Sequence, residues 1–348
     1  MPERLSLTFI SRIARHRHVL WVENAPQALP KVPQHDAARV KRLAVSSFNQ
    51  RFAPLKYGRF YPAQTLRRSN EAATPVFRVT GIEGDAFLAD FNPPLANRQV
   101  AIEREAAVVD PVPVGKAEML LIGPGIEAPL AERDTDFGDD DAFQREDQGD
   151  DARFYEKPRM VSHIDATCAS RITALYAALL PPGAVVLDLM ASHDSHLPGH
   201  VGRTIGVGMN ETELSQNPQL ESFQVIDLNR EARLPFPDGH FDAVVNTVSI
   251  EYLIHPLEVL REVRRVLRPQ GLLAVSFSNR FFPPKAIRLW VRLHPLERLG
   301  WVLQLLHDAG FRALETHAER GLRRAANDRY AADMPEMDPV LAAWGRHC

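Results

Sequence analysis

Cysteine is nearly absent from this sequence: Cys168 and Cys348 are the only two in 348 residues. They allow one disulfide at most, and neither has a partner at metal-ligand spacing. A disulfide scaffold and a cysteine zinc site are therefore excluded, and a reduced, cytoplasmic setting is expected. Long apolar runs are lacking as well. The first 25 residues mix apolar with basic side chains, and their longest uncharged stretch is far too short for a membrane span or a signal-peptide core. Residues 5–14 read as an amphipathic helix, packed on the protein itself rather than on a membrane. Charge of one sign is not in excess either. The net charge of −3 creates no field that would draw the chain to nucleic acid, and no such partner is expected. The basic run "RGLRRAANDR" (320–329) reads as solvated surface, and no internal repeat is visible.

What is present is an apolar fraction of 45%, enough for a sizeable core, on a chain long enough for two domains. Residues 1–75, rich in Pro and Arg after position 26, read as an arm with short elements. From Pro75 the segment "TPVFRVTGIEGDAFLADFNPPLANRQVAIEREAAVV" alternates apolar and polar residues, which predicts a small β-meander over 76–131. Its "EGD" turn suits a hairpin because Gly84 can take positive φ. Half of "ERDTDFGDDDAFQREDQGDD" (132–151) is Asp or Glu, which predicts a solvated, mobile linker over 132–152.

After Arg153 strands and helices alternate. "AVVLDLM", "RTIGVGM", "SFQVID", "FDAVVNTVS", "LLAVSFSN", "FRALETHA" and "PVLAAWGR" read as strands. "CASRITALYAALLPPG", "HPLEVLREVRRVLRPQG" and "LERLGWVLQLLHDAG" read as helices, the second ending at Pro269 and Gly271. Residues 153–348 are thus expected to form an α/β domain with a doubly wound, mostly parallel seven-stranded sheet, preceded by a smaller β-rich domain. A ligand would sit outside the carboxyl ends of its first four strands, at the switch point.

The order of "VVLDLMASHDSHLP", "TIGVGMNETEL" and "VIDLNREARLPFPDGHFDAVVNTVSIEYLIHPLEVLREVRRVLRPQGLLAVSFSN" resembles a class I S-adenosylmethionine-dependent methyltransferase of the type 11 kind over about residues 184–315. The most specific piece is "LPFPDGHFDAVV" followed by "LREVRRVLRPQG". Two departures stand out. The family's D-x-G-x-G-x-G turn after the first strand has Met190, Ser192 and Asp194 at its glycine positions, and any positive φ there would strain them. Gly208 stands where the family has the acid that holds the ribose hydroxyls. Within the meander, "VFRVTGIEGDAFLADFNPPLANRQVAI" resembles the closing half of a SlyD-like FKBP prolyl isomerase through Asp90, Phe91, Asn92, Pro94 and Leu95. Pro93 and Asn97 replace that family's His and Gly. The rest of that fold has no visible counterpart, so this likeness implies a docking module or structural relic rather than an isomerase.

The methyltransferase resemblance implies S-adenosylmethionine as cofactor. Asp188, Met190, Ala191 and Ser192 would meet its methionine end, and Asn210 and Glu211 the ribose. Asp227 and Leu228 would meet the adenine, with Asn246 at the end of the fourth strand. His196, His163, Glu251 and Tyr252 are the catalytic candidates, since an imidazole titrates near physiological pH and can take a proton from an acceptor. Tyr155, Arg159, Asn279 and Arg280 are the substrate candidates, and Arg280 could hold an acidic group bidentately. His193, His196 and His200, with His163, lack a Cys or Glu at a standard offset, so no metal is expected. The expected function is methyl transfer to a small-molecule acceptor. Two alternatives stay open: a non-catalytic binding protein that takes a protein partner through its β segment and pocket, and an enzyme of this fold with another ligand.

Overall fold

The computed structural model describes residues 2–67, 75–109, 112–126, 130 and 133–348. The N-terminal part contributes β1 (Glu3–Ile10), β2 (Ala14–Val22), β3 (Val40–Ala44), β4 (Phe60–Pro62), β5 (Val76–Glu83), β6 (Ala86–Asp90) and β7 (Ala101–Ala106). After the acidic stretch come α1 (Asp151–Tyr155), α2 (Ala166–Leu179), β8 (Val185–Leu189), β9 (Arg203–Gly208), α3 (Glu211–Ser215), β10 (Ser222–Val225) and β11 (Phe241–Thr247). They are followed by α4 (Pro256–Val266), β12 (Leu267–Phe277), α5 (Arg288–Arg292), α6 (Arg298–Asp308), β13 (Arg312–Arg320) and β14 (Val340–Arg346).

The apolar runs become buried parallel strands. Val186, Leu187 and Leu189 of β8, Val244 and Val245 of β11, and Leu273 and Val275 of β12 are all inaccessible to solvent, as a strand covered by helices on both faces requires. The strand order is β10-β9-β8-β11-β12-β14-β13, with β14 antiparallel to both neighbours and β8 to β12 parallel. This is the doubly wound α/β sheet expected, and the chain reverses direction across the sheet between β8 and β11. Helix α2 begins where Asp165 Oδ1 accepts from the Thr167 and Cys168 amides, a side-chain N-cap. Its Tyr176 hydroxyl bonds Thr247 Oγ1 (2.8 Å) and Ser276 Oγ (2.7 Å), clamping the helix beneath the ends of β11 and β12.

The sheet is larger than expected. β13 pairs in parallel with β2, and β2-β1-β7 extend the same sheet to ten strands. Residues 5–14 are therefore strand and turn rather than helix. Leu5, Leu7 and Phe9 bury one face of β1, as alternation at a period of two dictates. The stretch 76–131 is divided between sheets. β5 and β6 form the hairpin at Gly84 (φ 59) within a four-stranded sheet β3-β6-β5-β4, whereas β7 joins the large sheet. Helix α4 stops at Val266, short of Pro269 and Gly271, because Leu267 already pairs with Phe241 on β11.

The acidic stretch is a strap docked on the protein. Its start at residue 132 lies outside the described residues. Farther along, Arg288 and Arg292 of α5 bind Asp141, Arg292 Nη1 also binds Asp139 (2.7 Å), and Arg12 binds Asp134. Asp151 is buried with Arg145 Nη1 at 2.7 Å and the fully buried Lys285 Nζ at 3.0 Å. Dense like charges tolerate this docking because Arg12, Arg145, Lys285, Arg288 and Arg292 are interleaved with the carboxylates.

Candidate active site

A cleft of about 300 Å³ opens at the carboxyl ends of β8, β9, β10 and β11, at the switch point. Its floor is the turn after β8. Met190 takes φ 63, the left-handed backbone that a glycine would adopt without strain, whereas Ser192 and Asp194 do not. The Ala191 amide donates to the Val207 carbonyl at 2.8 Å, which lays the turn onto β9. Gly208 makes that approach possible: a Cβ there would overlap the Ala191 carbonyl oxygen and lie 3.1 Å from Leu214 Cδ2. Neither Met190 nor Asp194 closes the crevice; both line it. Beneath it lies Asp188, whose Oδ2 is buried with no hydrogen-bond partner among the described residues. Burial pushes its carboxyl up to about 7, against the Ser195 hydroxyl and His196, which favour the charged form.

Of the residues expected around the cofactor, Asp188, Met190, Ala191, Ser192, Asn210, Asp227 and Leu228 line the cleft. Glu211 is exposed and outside it, and Asn246 is buried below, its amide donating to the Leu189 carbonyl (3.1 Å) and Ser249 Oγ (2.9 Å). Asn210 is committed elsewhere. Its Oδ1 caps α3 at the Glu213 amide (3.0 Å), and its Nδ2 donates to the carbonyls of Tyr155 (2.7 Å) and Glu156 (3.1 Å). A residue not singled out in the sequence stands beside it. Glu213 lines the cleft, and its Oε2 accepts from Ser192 Oγ at 2.7 Å while Oε1 accepts from the Arg159 amide at 2.7 Å. The spacing N-x-x-E at a helix start was the available signal, since it brings an N3 carboxylate back toward the N-cap.

His163, His196 and Tyr252 line the cleft among the catalytic candidates. His163 is partly buried, with its ring 5.3 Å from that of Phe282 and 6.4 Å from that of His193. Burial and then His193 hold its pKa below the usual value, which favours the neutral imidazole. His196 Nδ1 lies 3.2 Å from Asp194 Oδ2. The Tyr252 hydroxyl accepts from the Phe282 amide at 2.8 Å, and burial raises its pKa well above the usual range. Glu251 is fully buried outside the cleft, and neither carboxylate oxygen has a hydrogen-bond partner among the described residues. Tyr155, Arg159 and Arg280 line the cleft, whereas Asn279 is exposed outside it. The histidines do not converge: His200 Nε2 turns away to the Leu180 carbonyl at 3.0 Å.

Glu251 yields a pH prediction. Burial pushes its carboxyl up to about 7, against the pull of its own backbone amide and of Arg298. A raised acid contributes stability that is complete below its ordinary value near 4.5 and is lost as pH rises through 7. Glu251→Gln removes that loss, so at pH 8 it is expected to raise the melting temperature by a few degrees, up to roughly 3 kcal/mol. At pH 5 the gain should shrink to about a quarter of that, below about 1 kcal/mol. Thermal unfolding at both values checks this, and an equal gain at pH 5 would contradict the burial explanation.

Residues 192–275 match a family described as "Methyltransferase domain". A ubiquinone/menaquinone biosynthesis C-methyltransferase of Shewanella frigidimarina is 32% identical over 112 residues, covering 28% of this chain and 44% of that protein. The Shewanella oneidensis protein of the same description matches to the same extent. The chain thus spans less than half the length of these curated relatives. Among solved structures, a Thermotoga maritima protein described as a SAM-dependent methyltransferase, possible histamine N-methyltransferase, is 17% identical with a TM-score of 0.38 over 52% of this chain and 89% of its own. A SAM-dependent methyltransferase from Aquifex aeolicus is 16% identical with a TM-score of 0.36 over 57% and 97%. The C-terminal part of this chain thus joins a doubly wound α/β strand order to a segment, residues 192–275, that is similar to a methyltransferase domain.

Proposed function

We propose that the cleft binds S-adenosylmethionine and that the protein transfers its methyl group to a small-molecule acceptor. The observation that carries this reading is the open crevice at the switch point, kept open by the left-handed Met190 and the bare Gly208 in spite of the replaced glycines. The unpartnered Oδ2 of Asp188 and the turn folded onto β9 fit a polar ligand end at that place.

The donor's ribose would lie against Glu213 and Ser192. Their mutual hydrogen bond leaves the carboxylate further lone pairs to accept hydroxyl protons, so Glu213 takes over the duty of the acid missing at Gly208. Asp227 and Leu228, after β10, would hold the adenine edge and face. When bound, the cofactor supplies a methyl group on a sulfonium sulfur, displaced in line by the acceptor. The chain's part is to orient the acceptor, exclude water and receive a proton where the acceptor must lose one. His163 suits the last task, since it is neutral and faces the cleft beside Phe282.

Calorimetric titration with S-adenosylhomocysteine tests the proposal. Micromolar binding is expected, weakened about tenfold by Asp227→Ala through loss of roughly 1.4 kcal/mol. Absence of heat at millimolar ligand would overturn it.

A further inference from the structure

The cleft is divided by charge. Apart from Asp151 of α1, which is paired with Arg145 and Lys285, its carboxylates are Asp188, Asp194, Glu213 and Asp227, from β8 and the turns and short helix after β8, β9 and β10. Its guanidiniums come from the other side: Arg280 from the loop after β12, Arg329 from the loop after β13, and Arg159 from the segment before α2. Among the described residues Arg280 and Arg329 make no ion pair, although both lie over the one ring of Tyr330, at 5.0 and 4.5 Å. Arg159 makes no ion pair either, and lies 4.3 Å from the Phe154 ring and 5.6 Å from that of Phe282. Two like charges gathered at one aromatic ring repel each other unless an anion joins them. A cationic sulfonium donor belongs on the acidic side. The basic side then faces the acceptor, and Phe282, Tyr155 and His163 give it flat walls.

Resting on the donor site proposed above, we infer that the methyl acceptor is an aromatic carboxylate, its ring against Phe282 and its carboxylate held by Arg280 and Arg329. A planar guanidinium meets a carboxylate through paired N–H donors, and a second guanidinium completes the neutralisation.

The test uses the full chain saturated with S-adenosylhomocysteine, titrated with 4-hydroxybenzoate and with its uncharged counterpart 4-hydroxybenzamide. The carboxylate is expected to bind at least tenfold more tightly than the amide. The double variant Arg280→Gln/Arg329→Gln should erase that preference while its melting temperature stays within a few degrees of the parent. Arg280→Lys, which keeps the charge and loses the paired donors, should retain an intermediate preference. If S-adenosylhomocysteine binds but the two probes bind equally, or neither binds, the acceptor inference fails and the donor site stands. A preference that survives in the double variant also overturns the inference. If S-adenosylhomocysteine itself does not bind, the failure belongs to the donor site, and the probes are then compared on the unliganded chain by the same criterion.

Discussion

Placing an acid at position 208, where the methyltransferase resemblance expects one, is expected to destroy the proposed donor site rather than improve it. Gly208→Asp should reduce affinity for S-adenosylhomocysteine more than a hundredfold and lower the melting temperature by several degrees. The turn after β8 is held against β9 by the Ala191 amide on the Val207 carbonyl, at 2.8 Å. Any Cβ at 208 would therefore overlap the Ala191 carbonyl oxygen. The strand cannot yield, because the Gly208 carbonyl accepts from the Ile226 amide at 2.9 Å and Leu214 Cδ2 stands 3.1 Å from the same Cβ. Overpacking of this kind costs about 1–3 kcal/mol, and relief by moving Ala191 would unmake the turn that carries Met190. Gly208→Ala should show most of the stability loss, since the clash begins at Cβ. The melting temperature reads this independently of ligand binding. An aspartate variant that is as stable as the parent and binds more tightly would mean that the carboxylate duty never moved to Glu213.

The proposed role of Glu213 bears on how far the site could be read from residues alone. The strands are legible because a run such as "AVVLDLM" has no polar face to offer solvent, and a parallel strand covered on both sides needs none. The switch point follows from strand order, and with it the placing of Asp188, Met190, Asp227 and Tyr155 at the cleft. Glu211 seemed the acid nearest the missing one in sequence, but it precedes the turn of helix that brings Glu213, not Glu211, over Ser192. Glu251 is a catalytic candidate in the sequence beside Tyr252, yet the 3-10 turn Ile250–Tyr252 points it inward. The strap was least legible. Asp141 and Arg292 are 151 residues apart, so local sequence shows only repulsion among the acids. The first strand was legible in principle: Leu5, Leu7 and Phe9 alternate with Ser6 and Thr8, but the flanking arginines gave the stretch the composition of an amphipathic helix.

The extension of the sheet through β2 and β1 implies that the N-terminal region is integral to the domain, and Glu297 measures how tightly. Glu297→Ala is expected to cost about 3–5 kcal/mol of unfolding free energy, the range for removing one partner of a buried ion pair. Its carboxylate is inaccessible to solvent and joins parts far apart in sequence: Oε1 accepts from Arg59 Nε at 2.9 Å and from the His294 amide at 3.1 Å, and Oε2 from the Phe60 amide at 2.8 Å. The substitution leaves the buried Arg59 guanidinium without that carboxylate and removes the acceptor of two backbone donors where β4 meets the start of α6. Apolar contacts alone would not compensate, although Phe60 and Leu296 share a core with Leu5 and Leu7 of β1. Glu297→Gln keeps acceptor capacity toward one donor and should lose about half as much. Urea denaturation checks both. A loss below about 1 kcal/mol for the alanine variant would mean that the region before residue 110 is held by its apolar seam. A loss in the predicted range, with a single transition, would mean that the four-stranded sheet and the α/β domain unfold as one unit through this carboxylate.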